Sequence, residues 1–534
     1  MNKKTQILLP FLFALMVAFG MYLGKRFHPY PYQNKLTEVL NKIDETYVDT
    51  IQEDKLINET ILKLLQDLDP HSYYIDAADV AAVEQDLDGN FEGIGIEFNI
   101  LRDTIIVVSP ISGGPSEALG IQAGDKFIYI DDEVVAGIGI QNADVRNKLL
   151  GKKGSKVNVK LKRNGESDLL DFTITRDKIP LFSIDASYMV NEDIGYIKIN
   201  RFSATTFDEF KESLYKLEKE GMQSLIVDLS GNPGGYLKAA YDITNQFFSS
   251  KKLIVYTEGR MRKRRNYFSN GRGDFTSGKL VVLIDEGSAS ASEILAGAVQ
   301  DWDRAIIIGR KTFGKALVQE EFVLSDQSKI RLTVARYYTP MGRFIQKPYD
   351  TGTDDYYMEM YERYANGEVY SADSVHFNDS LKFTSANGRI MYGGGGIMPD
   401  IFVAIDSSGN THYLNQLIRS GSFSSFVLQY VDNNRPLLLN KYPDFKAFNT
   451  YFSANSVLKE FNVHAKKTGV EYREDEFNKS KDIILNQIKA LIARQLYEAE
   501  AYYKVFNQMN NKYQKAVEVL QSDKFDELEI NSKQ

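Results

Sequence analysis

Val281-Val282-Leu283-Ile284 leads through Gly287-Ser288-Ala289-Ser290-Ala291-Ser292-Glu293 into Ile294-Leu295-Ala296-Gly297-Ala298-Val299-Gln300. The opening run is apolar and fit for a buried strand, and the closing run continues as a helix. Ser290 then lies at the helix start. Backbone N–H groups there are unpaired and carry partial positive charge, so a carbonyl oxygen turning into an oxyanion would be stabilised. The flanking alanines keep a nucleophile accessible. Ser288, Ser290 and Ser292 could equally cap or pack the helix start.

A serine hydroxyl needs a base. The chain has 5 histidines and none near this run, whereas Gly314-Lys315-Ala316-Leu317-Val318-Gln319 follows shortly after. Lysine serves as a base only when neutral, which burial among apolar neighbours such as Phe313, Leu317 and Val318 can achieve. Gln319, on the same face as Lys315 if the stretch is helical, could orient the amine without charging it. Lys315 could also be an exposed loop lysine.

A second strand, Leu225 to Leu229, runs into Ser230-Gly231-Asn232-Pro233-Gly234-Gly235. Glycines let backbone approach a ligand closely, so Gly234 or Gly235 could complete an oxyanion hole with the amide of Ala291. Gly309 to Ala316 also matches a phosphate-binding loop, but Ala316 stands where magnesium needs a hydroxyl, which removes the nucleotide reading. His71 in Leu68-Asp69-Pro70-His71-Ser72 reads as a capping or packing residue, and no metal site or cofactor is expected.

The 534 residues imply several domains. A net charge of −8 argues against nucleic-acid binding, so the basic run Arg260 to Arg265 reads as a solvated hairpin or loop. With no cysteine, thiol nucleophiles and disulfides are excluded. Thr5 to Gly24 is uncharged and apolar, long enough to span a bilayer. We expect a retained membrane anchor over residues 1–26 rather than a cleaved signal.

Helical spacing marks residues 35–87. Short β-type runs fill 88–180, and strands alternate with helices over 181–410, which favours a layered α/β core. Within it, 349–389 is polar and tyrosine-rich and reads as a flexible insertion. Over 411–534 the chain is helical, and an apolar stripe from Ile484 to Leu520 reads as one long helix.

The motifs Leu68 to Ser72, Gly93-Ile94-Gly95-Ile96, Gly120 to Asp125, Asp228 to Gly235, Ser288 to Ile294, Thr312 to Gln319 and Gly396 to Asp400 occur in one order. In that order they resemble the carboxyl-terminal processing peptidases, or tail-specific proteases. The resemblance implies an α/β multidomain protein with a ClpP/crotonase-like core and a PDZ domain over 88–180. It picks Ser290 as nucleophile from the three serines, Lys315 as general base and Gln319 as the residue orienting the lysine. It also implies that Gly93, Ile94, Gly95 and Ile96 bind the C-terminal carboxylate of a protein substrate, and that a serine endopeptidase works through an acyl-enzyme. Room is left for an activator or adaptor protein and for a homo-oligomer. The expected location is the cell envelope, anchored in the inner membrane and facing the periplasm. A catalytically silent PDZ scaffold is the other class of function, and the joint presence of serine, lysine and glutamine argues against it. A cytosolic peptidase is a third reading.

Overall fold

The computed structural model of the chain describes residues 13–20, 31–528 and 530. Two compact units divide it, Met1–Leu68 and Asp69–Gln534. In the first, Pro31–Thr46 and Glu53–Gln66 are helices. The second of these places Glu53 and Asp54 in its first turn and Lys63 in its last, which complements the helix dipole. The expected anchor, Thr5 to Gly24, lies mostly outside the described residues, of which 13–20 are helical. Among the described residues no helix is long and apolar enough to cross a membrane.

In the second unit a six-stranded sheet has the spatial order Ile184–Met189, Ile194–Ile199, Ser224–Asp228, Lys279–Ile284, Ile306–Gly309, Ile401–Phe402. The first pair is antiparallel and the remaining neighbours are parallel. Parallel strands are covered on both faces, and alternate side chains divide accordingly. Ile197, Leu225, Val227, Leu280 and Val282 lie in one core with the helices Thr206–Lys219, Leu237–Asn245 and Ala291–Asp301. Tyr196, Ile226, Val281 and Leu283 lie in another with Ala516, Val519 and Leu520 of the helix Asn511–Leu520.

The stripe from Ile484 to Leu520 is therefore not one helix. Glu474–Phe506 leaves helical geometry at Tyr497 and Glu498, a 3-10 turn follows at Asn507–Met509, and the Asn510 side chain caps the next helix. Two surfaces have to be met. Ile484 and Ile488 belong to the C-terminal helical core with Phe423 and Phe461, whereas Tyr503, Tyr513 and Val517 pack on the sheet. The insertion is also folded, as helix Thr353–Ala365, two 3-10 turns and the hairpin Lys382–Thr384 with Ile390–Tyr392. Its buried face is built from Tyr356 and Arg363, so aliphatic periodicity does not reveal it.

A second sheet pairs Lys329–Tyr338 with Tyr73–Ile75, Leu253–Glu258 and Leu317–Val323. The basic run is the turn and start of the hairpin between Leu253–Glu258 and Arg265–Phe268, with Arg262 paired to Glu320. Ile96–Ile100, Ile105–Pro110, Lys126–Ile130, Lys156–Lys162 and Leu170–Thr175 form a separate antiparallel sheet beside the helix Asn142–Leu149. Asn90–Gly93 pairs with Asp177–Pro180 and ties its two ends together. The C-terminal helices reach this domain through Asp432, 2.9 Å from Lys126, and Arg494, 2.8 Å from Glu97.

Among the described residues the ion pair of Arg343 with Asp301, 2.6 Å apart at the end of the Ser290 helix, is buried on both sides. Removing one partner strands the other charge in low dielectric. Arg343→Met should cost about 3–5 kcal/mol of stability, read as a lowered urea midpoint.

Candidate active site

Ser290 ends the loop after strand Lys279–Ile284 and opens the helix Ala291–Asp301. Its backbone takes φ 55° and ψ −109°, a conformation that costs a non-glycine residue on the order of 1–3 kcal/mol. A strained strand-to-helix turn of this kind presents a serine hydroxyl at the top of a sheet. The neighbouring serines are committed elsewhere. Ser288 is buried and donates to the Leu229 carbonyl at 2.8 Å, and Ser292 is buried and donates to the Asn232 carbonyl at 2.9 Å. Ser290 keeps partial exposure.

Glu293, in the first turn of that helix, is completely buried. One of its oxygens accepts from the Ser290 amide at 2.8 Å and from the Lys315 amide at 2.9 Å. The other accepts from the Thr312 hydroxyl at 2.5 Å and the Gly314 amide at 2.8 Å. Burial pushes this carboxyl up to about 7, while its donors pull the other way. The buried Tyr337 hydroxyl reaches the carbonyls of the same two residues, 3.0 Å from that of Ser290 and closer to that of Lys315. Two shared partners therefore hold the Ser290 and Lys315 backbones side by side. Burial first, and the Arg331 charge second, bring the Lys315 ammonium down to about 8. Among the described residues that ammonium makes no ion pair or hydrogen bond. Such a lysine is partly neutral near pH 8 and can accept a proton.

The glycine pair divides by geometry. The Gly234 amide donates to the Asn232 side chain at 2.8 Å, whereas among the described residues the Gly235 and Ala291 amides make no hydrogen bond. Both glycines are required by space. A Cβ on Gly234 would stand 2.8 Å from the Ser290 Cβ, and one on Gly235 would stand 2.0 Å from the Phe202 carbonyl oxygen.

Gln319 does not follow the helical expectation, because Leu317–Val323 is a strand. An i,i+4 pair does not share a helical face there. Its amide donates at 3.3 Å to the Thr333 hydroxyl, which donates at 3.0 Å to Asp69. Asp69 also receives the His71 and Ser72 amides, so the Asp69-Pro70-His71-Ser72 turn faces this side of the site. The His71 ring lies 2.9 Å from the Tyr356 hydroxyl, and burial, then the Lys315 charge, bring it down to about 3. It is a neutral packing residue beside the lysine.

In the small β domain, Gly95 takes φ +74° and packs against Ile179 and Gly114. Among the described residues the Ile94 and Gly95 amides donate no hydrogen bond, and Ile96–Ile100 is an edge strand of its sheet. Gly93 is instead taken up in the pairing of Asn90–Gly93 with Asp177–Pro180.

Residues 193–355 match the sequence family described as Peptidase family S41, and residues 93–174 match PDZ domain. The Carboxy-terminal-processing protease of Bartonella bacilliformis is 37% identical over 314 residues, which cover 58% of this chain and 71% of that protein. The chain belongs to the carboxy-terminal processing proteases of peptidase family S41. Carboxy-terminal processing protease CtpB of Bacillus subtilis is 36% identical over 320 residues, 59% of this chain and 65% of that protein. The chain thus spans about two thirds of the length of these curated relatives. The solved photosystem II D1 C-terminal processing protease is 25% identical, covering 71% of this chain and 95% of that one with a TM-score of 0.36. Residues 413–498 match a Family of unknown function (DUF8443).

For a member of this peptidase family, the residues that sequence reasoning missed are Glu293, Thr312 and Tyr337. Ser290-x-x-Glu293 has the spacing of a capping box and could have signalled the first. Thr312 opens the Thr312 to Gln319 motif without a role being legible there, and nothing local marks Tyr337. Glu293→Gln replaces an acceptor oxygen by a donor facing backbone donors, so peptide hydrolysis should fall at least about tenfold while the helical circular dichroism is retained.

Proposed function

We propose that this chain is a serine endopeptidase that captures protein substrates by their C-terminal tails and cuts them by a Ser-Lys mechanism. The observation that carries the proposal is the sharing of one Glu293 oxygen by the Ser290 and Lys315 amides, next to a lysine whose burial favours the neutral amine. In this mechanism Lys315 takes the Ser290 proton as the hydroxyl attacks the scissile carbonyl. The tetrahedral oxyanion is held by the free amides of Gly235 and Ala291, while that of Gly234 supports the turn. Collapse expels the amine, which receives its proton from Lys315. Water activated by the same lysine then resolves the acyl-enzyme.

Gln319 in this scheme orients the lysine from the neighbouring strand, with its own amide held by Thr333. At the PDZ domain, the free Ile94 and Gly95 amides suit a terminal carboxylate, and the edge of Ile96–Ile100 suits a tail added as a further strand. The apolar segment Thr5 to Gly24 supports placement at the cell envelope.

Cleavage of an unfolded reporter ending in an apolar tail is the direct test. Ser290→Ala and Lys315→Ala should each reduce it by at least about a thousandfold, and equal cleavage by wild type and both variants would refute the site. The pH dependence has a definite sign. A base must be deprotonated, so kcat/KM should rise about tenfold per pH unit up to the about 8 of Lys315 and level off above it. Below the about 7 of Glu293 the fall should steepen, because a protonated carboxyl cannot accept from all its donors. A profile falling from pH 6 to 8 would contradict the lysine base.

A further inference from the structure

We infer that Lys512, near the far end of the chain, is a positioning residue that locks the oxyanion loop to the nucleophile loop. The inference rests on the peptidase reading above and names a part of that site outside the S41 and PDZ matches.

The two loops leave the ends of neighbouring parallel strands, Ser224–Asp228 and Lys279–Ile284. Their mutual placement decides whether the Gly235 amide and Ser290 address the same carbonyl. On one side they are stitched by hydrogen bonds to backbone carbonyls: the Ser288 hydroxyl to that of Leu229 at 2.8 Å, and the Ala289 amide to that of Asn232 at 3.0 Å. On the other side the link is ionic. Asp285 accepts the Gly231 amide at 2.8 Å and the Gly287 amide at 3.0 Å on one oxygen. Lys512 donates to the other oxygen of Asp285 and to the Ser230 hydroxyl, both at 2.7 Å. One ammonium thus takes one acceptor from each loop.

Its own position is fixed independently of the loops. Lys512 opens the helix Asn511–Leu520, whose Ala516, Val519 and Leu520 are buried in the core on the sheet face away from the Ser290 helix. The Lys512 side chain is only 11% exposed. The nearby charges are otherwise matched: Lys198 lies on Asp228 and on the Ser230 carbonyl, and Arg310 pairs with Glu286 at 2.8 Å while standing 4.0 Å from Asp285. Without Lys512, Asp285 keeps the Gly231 amide and the distant Arg310, but no side chain joins it to the Ser230 hydroxyl.

The consequence is specific to turnover. Tail capture takes place in the PDZ domain, whereas loop placement acts where charge develops in the transition state, so kcat should respond and KM should not. The experiment uses the full chain, measuring kcat and KM on the tail-bearing reporter, the rate of Ser290 modification by a fluorophosphonate, and thermal unfolding. Lys512→Met should lower kcat and the modification rate at least about tenfold, with KM within about twofold. Lys512→Arg, which still offers donors to two acceptors, should recover a substantial part of the loss. Ser230→Ala, which removes one acceptor and leaves the helix untouched, should lower kcat at constant KM, and it decides the matter if Lys512→Met does not fold. Unchanged kcat in Ser230→Ala together with either unchanged kcat in Lys512→Met or an equal loss in both Lys512 variants overturns the inference while leaving the peptidase reading intact. A wild-type chain inert to reporter and fluorophosphonate alike overturns both.

Discussion

The site depends on a buried carboxylate. Glu293 is taken wholly out of water, which is tolerable only because its oxygens are supplied with four donors from two separate segments. One oxygen receives the amides of both Ser290 and Lys315, so moving either loop would leave a buried acceptor short of its partner. Such a loss is expensive in a low-dielectric interior. Glu293 thereby converts a desolvation cost into a fixed distance between the Ser290 loop and the Lys315 loop. Tyr337 does the same from the carbonyl side of those two residues.

The scaffold makes that clamp affordable. Parallel strands covered on both faces end in loops at one edge, and the loops after Asp228 and Ile284 leave from adjacent strands. Lys315 arrives from elsewhere, between strand Ile306–Gly309 and the second sheet. It is steadied by the insertion helix, where Arg363 donates to the carbonyls of Thr312 at 3.0 Å and Lys311 at 2.6 Å and Tyr356 packs edge-on against Phe313. Burial around the lysine, with the Arg331 charge second to it, is what lowers its proton affinity. The same burial leaves His71 neutral beside it.

Much of this was legible one residue at a time. The Val281 to Ile284 run, the small residues around Ser290 and the glycines after Asp228 announce buried strands ending in tight loops, because apolar runs and missing side chains act locally. Where placement depends on partners distant in sequence, local spacing does not reveal it. The helical face that would bring Gln319 beside Lys315 does not form, because Leu317–Val323 pairs with Lys329–Tyr338 and the sheet overrides the local period. The insertion escaped because tyrosine and arginine form its buried face. The stripe from Ile484 to Leu520 looked continuous because a sequence does not record that its two parts face different cores.

The sequence by itself determined the chemistry on offer: a serine at a strand-to-helix turn, a lysine among apolar neighbours, two glycines in the loop after a buried strand, and no cysteine to compete. These follow from residue type and short-range spacing. Only the tertiary structure decided which serine keeps partial exposure, which glycine amide stays unpaired, and that Glu293, Tyr337 and Lys512 tie together segments far apart in the chain. Those choices are made by burial and hydrogen-bond satisfaction, which depend on every segment that folds against the site.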